Sequence, residues 1–200
     1  MRRRKTGYIL LGLLVVTGLA GTFSDTISSK ERKFAITLLK AVNSADLKDF
    51  QTIEAVQLPA GNSSSAHLSV AACIDHLAAS ENLLWDMLEK GLKHPVNPGQ
   101  NNLVKLSDEQ VLQLAATDAL EQFLSRQIQS TSRRFTDKNP AIKEFTETRN
   151  EHIKYMKATT EDLRNHLTET PFGWLDSYQL CLLMAAHSNH HAQQLQAIKN

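Results

Sequence analysis

The stretch Leu182-Leu183-Met184-Ala185-Ala186-His187-Ser188-Asn189-His190-His191, near the end of the chain, carries the pattern that decides the fold. Apolar residues recur around it with a helical period, and this apolar stripe runs through His187 and His191. On a helix, side chains four residues apart share one face at roughly 5 to 6 Å, close enough to bind one metal ion. Because burying two imidazoles without partners is costly, a shared cation would account for both.

A third histidine, His76, lies in another apolar helical segment, from Val70 to Leu88. Three neutral imidazoles and one open position are the ligand set of a catalytic zinc site. If the helices that carry His76 and the His187/His191 pair are antiparallel, all three histidines lie at the same end of the domain. We expect His190 to face solvent or the rim of this site, and the other histidines to lie on the surface. They are His67, His94, His152 and His166.

Capping signals and periodicity predict an all-α domain, and no strand pattern is visible. The first long helix begins at the capping box Ser28-Ser29-Lys30-Glu31 and ends near Asn43 or resumes through Leu47 and Phe50. The second runs from Val70 to Lys90, where Gly91 is expected to stop it.

The third long helix opens at Asn139, with Pro140 at its first helical position, N1, and one further helical turn is predicted at Thr160–Leu163. The fourth is capped at Asp176 and runs to about Ile198. The segment from Gly91 to Asn139 is too long for a turn. It is predicted to carry a short helix opened by the Ser107 capping box and another through Leu120 and Phe123. Four long amphipathic helices with one extended crossover between the second and third fit a four-helix bundle.

The chain has 200 residues, of which 42% are hydrophobic and 22% charged, as expected for one globular domain. Its first residues differ from the rest: a basic start, Arg2 to Lys5, precedes an apolar stretch and then small residues at Gly18 and Ala20. This pattern predicts a signal peptide at residues 1–20, with the domain at 28–198. An uncleaved anchor is the alternative, although the apolar stretch is short for a membrane span.

Export to the periplasm or the extracellular space is therefore expected, with no stable membrane span in the mature chain. Removing residues 1–20 would leave 18 basic residues against 21 acidic ones, a formal charge of −3. That balance argues against nucleic acid as a partner, because such affinity comes mainly from clustered Lys and Arg. A small-molecule substrate and a homodimer are both compatible with the sequence.

Two groups of residues resemble the DinB-like superfamily, which includes the bacillithiol transferases. One is Asp75-His76-Leu77 with Ser80-Glu81-Asn82 and Trp85; the other is Leu175 to Gln179 followed by His187, His191 and Gln194. The resemblance covers roughly residues 28 to 198. It implies an up-down-down-up four-helix bundle that holds a divalent metal by His76, His187 and His191. The sequence departs from the family in residues 63–69, where many members carry a Trp and this chain has no large aromatic residue.

Two kinds of function follow from such a site. One is a metal-dependent hydrolase or transferase acting on a small substrate; the other is a non-catalytic metal-binding or stress-related bundle. Zinc is the expected metal, with nickel or iron as alternatives, because imidazole suits all three. No catalytic residue is assigned. Glu81 or Glu161 could assist the reaction, but the spacing selects neither, and both are interpreted as solvated helix residues.

The two cysteines, Cys73 and Cys181, are predicted to be free thiols. In an antiparallel helix pair that places His76 level with His187, Cys181 lies roughly 15 Å further along the axis than Cys73. A disulfide tolerates a Cα separation of only about 7 Å.

Overall fold

A computed structural model describes residues 27–44, 70–96, 98–128, 135 and 137–199. The predicted signal peptide, the continuation of the first helix past Ser44, His67 and the segment 63–69 lie outside this part of the chain. The described elements are α1 (Ser29–Ser44), α2 (Val70–Lys93), a 3₁₀ helix (Pro98–Leu103), α3 (Asp108–Leu114), α4 (Asp118–Ile128), α5 (Lys138–Ala158), β1 (Leu167–Thr170), β2 (Gly173–Asp176) and α6 (Ser177–Lys199).

The four long helices, α1, α2, α5 and α6, pack side by side, with α1 and α2 each contacting both α5 and α6. His76 near the start of α2 meets His191 in the second half of α6. At the other end of α2, Gly91 lies beside Ser177, where α6 begins. The two helices therefore run in opposite directions, as predicted, and the histidines lie toward one end of the pair.

The helix starts follow local capping chemistry. Ser28 accepts a hydrogen bond from the Glu31 amide, while the Glu31 carboxylate accepts one from the Ser28 amide. The same reciprocal bonds join Ser107 and Gln110 at the start of α3. These bonds confirm both predicted capping boxes. The helix predicted to have Pro140 at N1 begins two residues earlier, at Lys138, and is capped by Asp137.

Gly91 does not stop α2, which continues to Lys93. A Cβ atom added at Gly91 would lie 2.6 Å from Thr168 Oγ1, closer than side chains pack. The glycine therefore allows the close approach of α2 to the chain that precedes α6, and the prediction of a C-terminal cap was wrong.

That chain segment contains a β-hairpin, contrary to the prediction of no strands. β1 and β2 pair antiparallel, with Leu167 opposite Asp176 and Thr170 opposite Gly173. Gly173 has a φ of +104°, a backbone conformation that glycine adopts readily. Each strand is only four residues long, too short for alternation to stand out in the sequence. The helical turn predicted at residues 160–163 is also absent, because the chain there forms non-helical turns.

Both cysteines are buried and free, which confirms that prediction. Burial raises the pKa of each thiol to about 12. Within the described residues, none of the helices combines the length and the apolar character that a membrane span requires.

Candidate metal centre

The three histidines singled out from the sequence converge in the structure. His187 Nε2 and His191 Nε2, one turn apart on α6, lie 3.1 Å from each other. The ring of His76, from α2, has its centre 5.5 Å from that of His187 and 5.2 Å from that of His191. Two antiparallel helices thus bring together imidazoles that are more than a hundred residues apart in the chain.

His187 lies on the buried face of α6, with only 2% of its side chain exposed. Burial lowers the pKa of His187 to about 4; the positive charges that His191 and His76 would carry act in the same direction, and Glu121 opposes the shift. The ring is consequently neutral near pH 7. A neutral imidazole is the form that binds a metal ion.

A fourth residue, Glu121, completes the cluster. Its Oε1 lies 3.1 Å from His76 Nε2, and its Oε2 lies 3.3 Å from the Nε2 atoms of both His187 and His191. Glu121 belongs to α4, in the crossover between α2 and α5. The sequence predicted a helix there but gave no sign that this carboxylate points at the histidines, because its position depends on how the crossover packs against α2.

The electrostatics of the cluster keep Glu121 ionised. Burial raises the pKa of its carboxyl, but hydrogen bonds with His187, His191 and His76 lower it further, so the pKa lies well below its ordinary value. The four ligand atoms all lie within 4.8 Å of one another. Imidazole nitrogens and a carboxylate oxygen are ligands that zinc and other first-row divalent metals accept. The donor set therefore fits a divalent metal.

Two other histidines, His190 and His94, lie outside the four-residue cluster. His190 is half-buried beside the cluster, with its ring centre 5.7 Å from that of His191, and it shares a hydrogen bond with Gln194. This is the rim position, one of the two that were predicted for His190. His94 is exposed at the end of α2, as predicted.

His152 was predicted to lie on the surface and Glu81 to be solvated, and both predictions were wrong. Glu81 is buried, with Oε1 2.8 Å from His152 Nδ1 and Oε2 accepting hydrogen bonds from Arg149. The indole of Trp85 stacks on the His152 ring with centres 3.9 Å apart. This network lies between α2 and α5. These two helices are far apart in the chain, and their packing buries the polar side chains between them.

His166 is also buried, contrary to its predicted surface position. Its carbonyl oxygen accepts hydrogen bonds from the Ser177 amide and the Ser177 hydroxyl, at the point where α6 begins. Burial of His166 therefore accompanies the docking of the hairpin on the start of α6.

The sequence profile of the DinB superfamily matches residues 37–195, so the chain belongs to the DinB superfamily. Among solved structures, YfiT from Bacillus subtilis aligns over 90% of this chain and 91% of that chain, with a TM-score of 0.58 and 14% sequence identity. YfiT is described as "a probable metal-dependent hydrolase with an unusual four-helix bundle topology". No curated protein matches the chain.

At this identity the likeness to YfiT shows the fold alone. It confirms the predicted four-helix bundle. The up-down-down-up order of the helices stays a prediction.

Proposed function

We propose that this protein holds a divalent metal ion, with zinc as the first expectation, through His76, His187 and His191, and acts as a metal-dependent enzyme on a small molecule. The observation that carries the proposal is the convergence of three imidazoles from α2 and α6 in a cluster whose two α6 nitrogens are 3.1 Å apart. The description of YfiT as a probable metal-dependent hydrolase favours hydrolysis over group transfer.

Such an ion, when bound, supplies Lewis-acid chemistry that polarises a carbonyl or phosphoryl oxygen and activates water. The chain's own contribution is to fix the ligands. His187 and His191 lie one turn apart on α6 with their Nε2 atoms 3.1 Å apart, and the ring of His76 approaches them from α2. Ligands on rigid helices keep the nitrogens in place before the ion arrives.

Metal analysis of the protein purified without a histidine tag tests the site. We expect one ion per chain, and a sharp loss of occupancy in His76→Ala, His187→Ala and His191→Ala, because two imidazoles hold an ion far less well than three. His94→Ala is the matched control, since His94 is exposed and outside the cluster. Comparison is restricted to variants with the circular dichroism of the parent. If folded His187→Ala and His191→Ala bind metal as the parent does, the site is assigned wrongly.

Activity is tested separately, with a panel of small ester, amide and thiol substrates. Turnover that is lost on chelation and restored by the metal would support the enzyme. The second candidate function is a non-catalytic bundle that the ion braces, and it is favoured by Glu121, because four protein ligands are typical of structural sites. In that case no substrate would turn over, while metal at about 100 times its Kd would still stabilise the fold by about 2.7 kcal/mol.

We also propose that the protein is exported, on the basis of its N-terminal sequence pattern. Sequencing the N-terminus of the protein from its native host should find a start near Gly21. A mature chain that begins at Met1 or Arg2 would contradict export with cleavage.

A further inference from the structure

The cluster has an inner and an outer side. The side chain of His187 is 2% exposed and those of His76 and His191 are 14% and 12% exposed, whereas that of Glu121 is 36% exposed. Solvent therefore reaches the cluster on the side where Glu121 lies. Of the four side chains, that of Glu121 is the most accessible to a molecule in water.

The spacing of three of the ligand atoms matches one face of a four-ligand metal site, while His76 Nε2 lies 3.1 Å from the other oxygen of Glu121, Oε1. Ligand atoms at about 2.0 to 2.1 Å from a tetrahedral ion lie roughly 3.3 Å from one another. The distances from Glu121 Oε2 to the Nε2 atoms of His187 and His191 are both 3.3 Å, and the two nitrogens are 3.1 Å apart. These three atoms thus form one face of such a tetrahedron, with the carboxylate oxygen as a corner.

Hydrogen bonding alone explains this spacing less well. Charge-assisted bonds between a nitrogen and a carboxylate are usually about 2.7 to 2.9 Å long, shorter than the contacts of Glu121 with His187 and His191. A neutral imidazole also carries only one N–H. The close approach of His187 Nε2 to His191 Nε2 therefore places at least one lone pair in the cluster, as metal binding requires.

The backbone that carries Glu121 is anchored, but its side chain is not enclosed. Leu120 and Leu124 of α4 are fully buried and hold the helix against the core. The Glu121 side chain extends from that helix into a partly solvated space. Leu120 and Leu124, and not Glu121, therefore make the core contacts of α4.

We propose that Glu121 is a fourth protein ligand, which occupies the metal's open position in the resting protein and is displaced when an anionic substrate group binds. This inference rests on the proposed function, because it requires metal at the three histidines. It assigns to the crossover helix α4 the control of access to the ion. A site closed by four protein ligands would become the open site that catalysis needs.

The test uses the full-length protein loaded with cobalt(II), whose visible spectrum reports the number and type of ligands. The variants are Glu121→Ala and Glu121→Gln, with Asp118→Asn as the matched control, because Asp118 is an exposed acidic residue on the same helix. We measure cobalt affinity, the spectrum, and the binding of azide and acetate as probe anions. Circular dichroism verifies that the variants remain folded.

We expect both Glu121 variants to change the cobalt spectrum and to weaken metal affinity by at least about tenfold, since even loss of an outer-shell partner costs about 10- to 100-fold. Azide should bind Glu121→Ala more tightly than the parent, because it no longer competes with a carboxylate. Acetate should restore the parent's spectrum in Glu121→Ala. Asp118→Asn should behave as the parent.

Unchanged spectrum and azide affinity in Glu121→Ala would overturn the proposal. So would a parent protein that binds no azide at concentrations that saturate Glu121→Ala, since the carboxylate would then be a fixed ligand. Failure of the proposed function gives a different result, in which the parent binds no cobalt or the histidine variants bind it unchanged.

Discussion

Arg149 provides the sharpest test of how the bundle is held together. Its side chain is completely buried and contacts all three other long helices. It donates hydrogen bonds to the Glu81 carboxylate on α2 at 2.9 and 2.5 Å, to the Ser188 hydroxyl on α6 at 2.6 Å and to the Leu39 carbonyl on α1 at 3.4 Å. The substitution Arg149→Met keeps much of the side-chain volume and removes the charge.

The expected loss of stability follows from the burial of both members of the ion pair, Arg149 and Glu81. Glu81 is also fully buried, so Arg149→Met leaves a carboxylate without its cationic partner in a site that water does not reach. Breaking a buried ion pair in this way costs about 3 to 5 kcal/mol. For a domain of this size, each kcal/mol lowers Tm by roughly 2 to 4 °C. The variant should therefore melt roughly 6 to 20 °C below the parent.

Urea unfolding of metal-free protein, followed by circular dichroism, measures the change in the free energy of unfolding. The control is Glu147→Gln, which removes an exposed ion pair with Lys143 whose atoms are 3.9 Å apart. Exposed pairs contribute about 1 kcal/mol or less. If Arg149→Met costs no more than Glu147→Gln, the buried pair is not a main support of the bundle.

A double variant separates charge from packing. In Arg149→Met with Glu81→Gln, no ionised group is left without a partner, so the double variant should recover part of the lost stability. A double variant that is less stable than Arg149→Met alone would show that the loss comes from packing or from the Glu81 contact with His152.

Two further predictions concern the start of α1 and the cysteines. Burial raises the pKa of Glu31, but hydrogen bonds from Arg164 and Ser28 outweigh it, and the net pKa lies below the ordinary value of 4.5. A lowered carboxyl pKa contributes stability above the unfolded-state value and loses it as pH falls through the folded-state value. Glu31→Gln should therefore cost about 1 kcal/mol at pH 7, allowing for partial exposure. In urea unfolding, the difference from the parent should shrink as the pH is lowered below 4.5. A difference that does not shrink at any acidic pH at which the parent still folds would contradict the role of ionised Glu31. Burial raises the pKa of the Cys73 and Cys181 thiols to about 12, so both should resist iodoacetamide in the native protein. After denaturation without reductant, mass spectrometry should find both cysteines alkylated. An intact disulfide between them would refute the predicted helix register.

Local chemistry made much of the fold predictable. The capping boxes at Ser28 and Ser107 involve residues three positions apart, so the hydrogen bonds they form can be inferred from the sequence. The spacing of His187 and His191 likewise fixes their common face on any helix. The sequence therefore determined the helical class, the approximate helix ends and the histidine pair.

Only the tertiary structure decided which polar residues are buried and what they contact. Glu81 and His152 resemble solvated helix residues until α2 and α5 pack together, and Glu121 lies in a crossover whose path depends on its contacts with the bundle. Gly91 likewise marks a close approach to Thr168, which is 77 positions further along the chain. A helical period reports which face of one helix is apolar, but burial of a polar side chain depends on atoms supplied by distant segments, and no local pattern encodes those.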